Sequence, residues 1–400
     1  MALSDVTSVD VRRRPRDRKS QILVAARGLF VEQGYPNVTM AQIAERVGIT
    51  AGALYRHFNN KSVLLEKVVD ASFAWVDEPL AVEDLGGQIE IILSLAADSP
   101  HLADLWAHEV RYLPEQRLHD LRRRMSAWRG VVAAALGRRR PDLAEEQTHV
   151  LAWAIQSLMS CLGRRALRAP MSLRVPAVRA AMHAVATAGL VPLRGSVAND
   201  RQASARLASV SVRERLLVAA FEQFAERGYS ETTMASLGAV ANVTGQNLYS
   251  YFESKADVLK AVIDRGHHAL WLGLDDAFAC STTASEALYR LVENYIARAG
   301  SWIAAVEDPT GEVVLGETAV AAQREYVAEW IALLVRACPD LGAAEARVRV
   351  QLALFVISDL HGAPPLRRDA AFRENLMLIV MTILFDGAEV DAEPIRGSNS

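Results

Sequence analysis

Cysteine is scarce in this sequence, with three residues in 400: Cys161, Cys280 and Cys338. They are widely separated and form no C-x-x-C pair, which argues against a disulfide framework and against a cysteine zinc site. No apolar run reaches the roughly 18 residues of a membrane span, and the N-terminus has no apolar segment typical of a secretion signal. We therefore expect a soluble protein of a reducing cytoplasm.

The sequence also lacks the short motifs that mark many catalytic sites. No G-x-S-x-G, H-E-x-x-H, G-x-x-x-x-G-K-[ST] or G-x-G-x-x-G occurs, so no catalytic constellation can be named. The adjacent His267 and His268 would point to different faces of a helix. His101 and His108 have no acidic or cysteine partner at an established metal-binding spacing. We expect no enzyme activity, no cofactor and no bound metal.

Residues 39–61, by contrast, carry a dense pattern that predicts two short helices joined by a turn. Thr39 is suited to cap the first helix, and Gln42 follows at the capping-box spacing. Gly48 stands at the turn, where a positive φ is least unfavourable for glycine. Thr50 can cap a second helix that carries Leu54, Tyr55 and Phe58. This is the arrangement of a helix-turn-helix, whose second helix enters the DNA major groove.

The pattern T-M-x-x-I-A-x-x-x-G-I-T-x-x-x-L-Y-x-H-F-x-x-K resembles the DNA-binding signature of the TetR family of bacterial transcriptional regulators. The resemblance implies that residues 51–53 meet base edges, where alanine can contact a thymine methyl group but offers no hydrogen-bond code. It implies phosphate contacts for Tyr55 and Lys61, with Arg56 and His57 near enough to join them. The residues expected at DNA are Thr39, Gln42, Thr50, Ala51, Gly52, Ala53, Tyr55, Arg56, His57 and Lys61.

A basic arm precedes this module. Residues 1–62 contain ten lysines and arginines against five acidic residues, although the net charge of the chain is −3. An arm that lacks helical periodicity, residues 1–19, can reach phosphates or the minor groove; a solvated tail is the alternative. The arm residues expected at DNA are Arg12, Arg13, Arg14, Arg16, Arg18 and Lys19.

The module returns later in the chain. A shift of 194 positions aligns residues 20–65 with residues 214–259 without a gap, and 17 of the 46 pairs are identical. The chain therefore resembles two TetR-family subunits fused in tandem, a single-chain arrangement similar to that of some actinobacterial members. The second copy implies a further set of DNA contacts: Thr233, Thr244, Gly245, Gln246, Asn247, Tyr249, Ser250, Tyr251 and Lys255.

The second copy differs from the first in ways that bear on its role. Gln246 and Asn247 bring side chains suited to bidentate pairing with adenine. Ser236 replaces Gln42, so we expect the capping box to be lost, and Gly238 inside the helix should cost about 1 kcal/mol. Asn242 at the turn is a mild change. Residues 195–257 carry six basic and seven acidic residues, so the second copy either contacts DNA with less non-specific affinity or is mainly architectural.

The remaining sequence is helical in pattern, which predicts an all-α protein of two tandem units. Helices are expected near 88–97, 100–112, 115–136, 145–167, 175–189, 255–279, 283–305, 317–337, 343–362 and 370–386, with prolines such as Pro176 among the breaks. The expected domains are the arm 1–19, module one 20–66, body one 67–190, a linker 191–211, module two 212–260, body two 261–387 and a tail 388–400.

By resemblance, each body forms an effector pocket, and the last two helices of the two bodies pair as a four-helix bundle. We expect an intramolecular pseudo-dimer that binds an asymmetric operator and is released by a small, apolar, lipid-like or aromatic effector. The alternatives are an adaptor with degenerate DNA binding, an activator, or an enzyme on a helical scaffold. The pocket candidates are Trp75, Trp106, His108, Tyr112, Trp153 and Met159 in the first body, and Trp271, Tyr295, Trp302, Trp330 and Phe355 in the second.

Overall fold

A computed structural model describes residues 16–78, 82–164, 167, 169–194, 209–243, 245–306 and 309–385. At residues 16, 17, 225–227, 230, 245, 246, 299–306 and 309–322 it describes the backbone alone. The described residues fold into helices and connecting turns, which confirms the predicted all-α class. They form two compact units, one from the described part of 1–79 and 101–126, the other from that of 80–100 and 127–400. Arg12, Arg13 and Arg14 lie outside the described residues.

The first unit begins with four helices: α1 Arg16–Gln33, α2 Met40–Val47, α3 Ala51–His57 and α4 Lys61–Ser72. Ile22, Phe30 and Ile43 are fully buried between them, together with Leu54 of α3. The expectation that the arm 1–19 lacks helical structure is wrong at its end, because α1 already begins at Arg16. Arg16, Arg18 and Lys19 are therefore held on a helix.

Residues 100–112 were expected to form one helix, but residues 101–112 are divided into three short pieces. α6 spans His101–Asp104, a π-helical turn follows at Leu105–Glu109, and a 3-10 turn ends the segment at Val110–Tyr112. Leu105 and Val110 are buried. A π-turn inserts an extra residue into the helical ladder, and here its last residue is the buried Glu109.

The second unit contains the first body, formed by α5 Leu85–Asp98, the later part of α7 Glu115–Arg139, α8 Glu145–Cys161 and α9 Met171–Thr187. α8 ends six residues before the predicted 167. The sequence predicted a helix break at Pro176, yet this residue lies inside α9. It falls in the second turn of the helix, where its missing N–H removes a single hydrogen bond.

The second unit continues with the second copy. Its helices are α10 Val212–Glu231, α11 Met234–Ala241, α12 Gly245–Leu248, α13 Lys255–Ala279, α14 Ala284–Val306, α15 Pro309–Ala337, α16 Ala343–His361, α17 Pro364–Arg367 and α18 Phe372–Phe385. α13 has the predicted bounds, whereas α15 begins eight residues before the predicted 317. α10 bends at Gly228, whose φ is 82°.

The last two long helices of each copy pack together within this unit: α8 and α9 lie against α16, and α9 lies against α18. Ser157 Oγ donates to Asp359 Oδ2 at 2.6 Å, and Arg164 pairs with the same carboxylate. Asn375, which is 1% exposed, accepts from Val191 N at 2.9 Å and donates to Val191 O at 3.2 Å. α18 is buried on several sides, as its apolar sequence predicts.

In the part of the chain that the structure describes, no helix combines the length and apolarity needed to cross a membrane. The same residues contain no group of three histidine, cysteine, aspartate or glutamate side chains that could hold a metal ion.

Candidate nucleic-acid interface

The first helix-turn-helix forms as the sequence predicts. Thr39 Oγ1 accepts from Gln42 N at 3.3 Å while Gln42 Oε1 accepts from Thr39 N at 2.7 Å, which completes the capping box. Gly48 ends α2 with φ 70° and ψ 38°. Thr50 Oγ1 then accepts from Ala53 N at 3.2 Å and caps α3.

One face of α3 supports the module and the other is open. Leu54 is fully buried and Phe58 is 2% exposed, so both belong to the core. Tyr55 is 49% exposed, and a Cβ added at Gly52 would meet no atom within 4 Å. The open face is therefore reachable by the backbone of a partner. Its exposed members are Thr50, Ala51, Gly52, Tyr55, Arg56 and His57, with Ala53 half-buried at the edge.

Lys61 has an internal role instead of the expected phosphate contact. Its Nζ donates to Tyr35 O at 2.8 Å, to Pro36 O at 3.3 Å and to Val38 O at 2.8 Å, and lies 4.4 Å from the Tyr35 ring centroid. An ammonium group has three donors, so these carbonyls use them all. Lys255 repeats the contact on Tyr229 O at 2.8 Å and Thr232 O at 2.9 Å. Both lysines fasten the turn before the helix-turn-helix.

Two basic side chains of the arm also contact the module itself. Arg18 Nη1 donates to Val47 O at the end of α2 over 3.4 Å, and Lys19 Nζ lies 5.8 Å from the Phe58 ring centroid. Arg213 lies over Phe252 in the same way at 5.1 Å. Arg18 and Lys19 are nevertheless exposed, which keeps most of their donors at the surface.

A buried carboxylate links the first module to the 101–112 segment of its unit. Glu109 is 4% exposed, and its Oε2 accepts from Tyr35 N at 2.8 Å. Burial raises the pKa of Glu109 to about 7, partly opposed by the Tyr35 N–H and by Arg111. Tyr112, an expected pocket residue, stacks on Tyr35 at 5.3 Å between centroids. Tyr35 is thus held by a carboxylate, a ring and Lys61 together.

The second module keeps a capping box that we expected to be lost. Ser236 N donates to Thr233 Oγ1 at 3.1 Å, and Ser236 Oγ accepts from Thr233 N at 3.1 Å. Gln223 supports the serine through a 2.7 Å hydrogen bond to Ser236 Oγ. The shorter side chain succeeds because its hydroxyl already lies within reach of the cap N–H.

Packing requires a glycine at position 238, although helix propensity alone predicts only a cost there. A Cβ at this position would lie 2.9 Å from Val243 O and 3.2 Å from Leu248 Cδ1. The following turn therefore approaches α11 too closely for alanine. Asn242 ends α11 with φ 54° and ψ 50°, the left-handed conformation that asparagine tolerates.

The second recognition segment is shorter than the first. α12 spans four residues, Gly245–Leu248, where α3 spans seven. Ser250 Oγ donates to Asn247 O at 2.6 Å just beyond it. Asn247 and Ser250 are exposed, as are Tyr249 at 58% and Tyr251 at 42%. Thr244 lies outside the described residues, as does the side chain of Gln246, and Gly245 is described by its place in α12 alone.

The pocket candidates of the first copy fall into separate surroundings. Trp106 packs edge-on against Phe73 at 5.9 Å between centroids, and Met159 is 8% exposed in the core. Trp153 lies beneath the guanidinium of Arg129 at 3.7 Å. Trp75 and His108 are half-buried in the first unit. A pocket between α4 and α7 is lined by residues that include Glu66, Asp70, Arg117 and Arg124, and by none of these candidates.

In the second copy the structure does bring three candidates together. Trp271, Tyr295 and Trp330 surround Tyr326, with centroid distances of 5.8, 6.4 and 6.4 Å. Trp271 Nε1 donates to His267 Nε2 at 2.8 Å. Phe355 contacts Arg164, whose guanidinium carbon lies 4.5 Å from its ring centroid, and its place in a pocket stays a prediction. The Trp302 side chain is outside those described.

Sequence reasoning missed four side chains in these sites: Glu109, Arg129, Tyr326 and Asp359. Tyr326 could have been found, because it lies four residues before Trp330 on one helical face. The other three are charged residues on exposed-looking helical patterns. Only the fold shows that Glu109 and Arg129 are buried and that Asp359 faces α8.

Comparison with known proteins finds matches to both helix-turn-helix modules. A family model described as bacterial regulatory proteins of the tetR family matches residues 22–68 and again residues 216–262. The HTH-type transcriptional regulator TtgR of Pseudomonas putida is 41% identical over 56 residues, 14% of this chain and 27% of TtgR. The HTH-type transcriptional repressor AcnR of Corynebacterium jeikeium is 33% identical over 94 residues, 24% of this chain and 48% of AcnR.

A third relative, the HTH-type transcriptional activator FasR of Mycolicibacterium smegmatis, is 40% identical over 73 residues, 17% of this chain and 33% of FasR. Each of these three matches spans less than half of the relative's own length. The family is one of regulatory proteins, which agrees with the prediction that the chain is not an enzyme. Residues 22–68 and 216–262 each match the family model of tetR-type bacterial regulatory proteins, so the chain carries the module that this model describes twice, in tandem.

Proposed function

We propose that this protein is a DNA-binding transcriptional regulator that uses two unlike helix-turn-helix modules on one chain. The observation that carries the proposal is the open face of α3, which begins at the Thr50 cap and presents Tyr55 at 49% exposure beside Arg56 and His57. In a helix-turn-helix this face enters the major groove. Arg18 and Lys19, exposed on α1 of the same unit, supply further positive charge for the phosphate backbone.

The two modules divide the work in this proposal. The first carries ten basic residues against five acidic over residues 1–62 and provides most of the salt-dependent affinity. The second has six basic against seven acidic over residues 195–257 and reads bases through Gln246 and Asn247. The shortness of α12 favours the alternative that the second module is mainly architectural. Comparing Tyr55→Ala with Tyr249→Ala separates this alternative from base reading.

We further propose that the two copies act as an intramolecular pseudo-dimer. The packing of α8 and α9 against α16 and α18, with Asp359 bonded to Ser157 and Arg164, supports it. A symmetric dimer reads a palindrome with half-sites about 34 Å apart. Two unlike modules would read an asymmetric operator, and a footprint of two equally contacted, identical half-sites would contradict this.

Regulation by a small effector is the last part of the proposal. An effector that prefers one conformation of a body shifts the population of recognition-helix positions. The Glu109–Tyr35 hydrogen bond and the Tyr112–Tyr35 stack tie the 101–112 segment to the first module. We propose repression as the sign, as in the name of AcnR, and transcription in vitro would decide it because FasR is named an activator.

The test compares Tyr55→Ala and Tyr249→Ala in gel-shift and footprint experiments on DNA upstream of the protein's own gene. Both tyrosines are largely exposed, so neither substitution should disturb folding. We expect both to weaken binding, with the first variant losing about tenfold or more and the second less. Equal losses would contradict the charge argument. A wild-type chain that retards no genomic fragment at low salt would favour the adaptor.

A further inference from the structure

Arg129 is the arginine that the described part of the chain buries, at 8% exposure. It lies on α7 and faces two residues of α8. Its Cζ is 3.7 Å from the centroid of the Trp153 ring, and its Nη1 donates to Gln156 Oε1 at 2.7 Å. Trp153 and Gln156 are three residues apart and so share a helical face. The guanidinium is held in one orientation by a neutral amide and a ring.

Among the described residues, Arg129 hydrogen-bonds a neutral amide, and no carboxylate contributes to the shift of its pKa. Arg117 and Arg124, earlier on the same helix and more exposed, pair with Asp70 at 2.6 Å and Asp77 at 2.7 Å. Burial lowers the pKa of Arg129 to about 10, which leaves it charged at neutral pH. A buried charge without a counter-charge is strongly unfavourable, so a bound anion would stabilise Arg129.

The geometry leaves one edge of the guanidinium available to bind an anion. Gln156 engages Nη1 and Trp153 covers one face, so the Nε and Nη2 donors remain. These two N–H groups point in parallel and suit bidentate binding of a carboxylate or phosphate. Neither nitrogen is among the buried polar atoms of the described residues that have no hydrogen-bond partner. The half-buried Trp153 ring offers an apolar surface beside them.

We propose that Arg129 is the anion-binding residue of the effector site in the first body, and that the effector is an organic molecule bearing a carboxylate or phosphate group. The inference rests on the proposed function, because it gives its effector a chemical class. It replaces the purely apolar effector that the aromatic candidates suggested. The apolar part of the molecule would lie against Trp153.

The second body differs at this point, which limits the site to the first copy. Its buried centre contains Tyr326 at 3% and Trp330 at 0% exposure. None of its described arginines is buried. The two bodies therefore offer unlike surroundings, one cationic and one neutral and aromatic, and the anion should bind once per chain.

The experiment titrates the full chain, without DNA, with hexanoate, hexyl phosphate and hexanol by calorimetry and thermal unfolding. The variants are Arg129→Met, which removes the charge, Arg129→Lys, which keeps the charge but loses the fork, and Arg122→Met as the control. Arg122 is an exposed arginine on the same helix. We expect the Kd of at least one anion to rise about tenfold or more in Arg129→Met, with Arg129→Lys between. Hexanol should bind all variants alike.

Preference for one anion identifies the headgroup as carboxylate or phosphate. Arg129→Met should also unfold at the same or a higher temperature than the wild type, because it removes an unpaired buried charge. The proposal is overturned if neither anion binds the wild type at about 10 mM, if Arg129→Met binds them unchanged, or if the variant merely loses stability. A gel-shift on the same samples reports DNA binding separately, so failure of the proposed function is distinguishable.

Discussion

The two helix-turn-helix modules share their framework and differ in what they expose. Each has a threonine N-cap with a complete capping box, a left-handed residue at the turn, and a lysine fastened to the carbonyls of the preceding tyrosine turn. α3 has seven residues and basic neighbours, whereas α12 has four and a nearly neutral surrounding sequence. The internal contacts of the two modules are therefore alike, whereas the residues that their recognition helices expose differ.

The largest expected effect comes from Gly238→Ala. The added Cβ would press on the Val243 carbonyl at 2.9 Å, so we expect a loss of about 3 kcal/mol despite the better helix propensity of alanine. Denaturant unfolding combined with hydrogen exchange of the α11 amides measures it. Gly52→Ala, where a Cβ meets nothing within 4 Å, is the control. Unchanged protection of α11 would show that the turn can move away.

The lysines provide a test of what is common to both modules. Lys61→Met and Lys255→Met each leave carbonyls of a tight turn without their donor. We expect each to lower the free energy of unfolding by about 2 kcal/mol. Because neither ammonium is free to neutralise phosphate, the salt dependence of DNA binding should change little. If a variant kept its full stability but the slope of log K against log salt concentration fell by about one, the lysine would be a phosphate contact.

The sequence predicts contacts whose two ends lie within one turn of helix. The Thr39–Gln42 capping box and the Thr50 cap follow from spacing alone, and the αL turn at Gly48 follows from residue type. Lys61, in contrast, reaches carbonyls 23 to 26 positions away, and Tyr35 reaches Glu109 at a separation of 74. Such partners depend on how helices pack, which periodicity does not encode.

The same limit explains the glycine and the arginine. Gly238 reads as a weak helix position, since nothing in the spacing shows that Val243 O approaches it. The neighbouring sequence alone would place Arg129 on a charged, exposed helix face, but in the structure its guanidinium packs on Trp153. For the pocket candidates, aromatic residue type identified the group of Trp271, Tyr295 and Trp330, whereas Phe355 contacts Arg164.

Glu109 makes the stability of the first module depend on pH, because its carboxylate accepts a hydrogen bond from Tyr35 of that module. Its pKa is raised to about 7 by burial, so between pH 4.5 and 7 the folded state binds more protons than the unfolded state. Its contribution to stability must therefore fall as pH rises through that window. Glu109→Gln can still accept from Tyr35 N but stays neutral.

Relative to the wild type, Glu109→Gln should gain on the order of 1–2 kcal/mol between pH 5 and pH 8. Chemical unfolding followed at several pH values checks this, with Glu115→Gln, at an exposed carboxylate on α7, as the control. Parallel stability curves for Glu109→Gln and the wild type would mean that the carboxylate stays ionised across the range.

The smallest effect comes from exchanging the turn residues, Gly48→Asn in the first module and Asn242→Gly in the second. Both positions are left-handed, with φ of 70° and 54°, and asparagine there is slightly strained compared with glycine. We expect Gly48→Asn to destabilise its module by about 0.5 kcal/mol and Asn242→Gly to stabilise the other by a similar amount. Opposite and equal shifts in unfolding would show that the two turns are interchangeable. A large loss from Asn242→Gly would instead assign the asparagine side chain a contact of its own, and would separate the second module from the first at the turn.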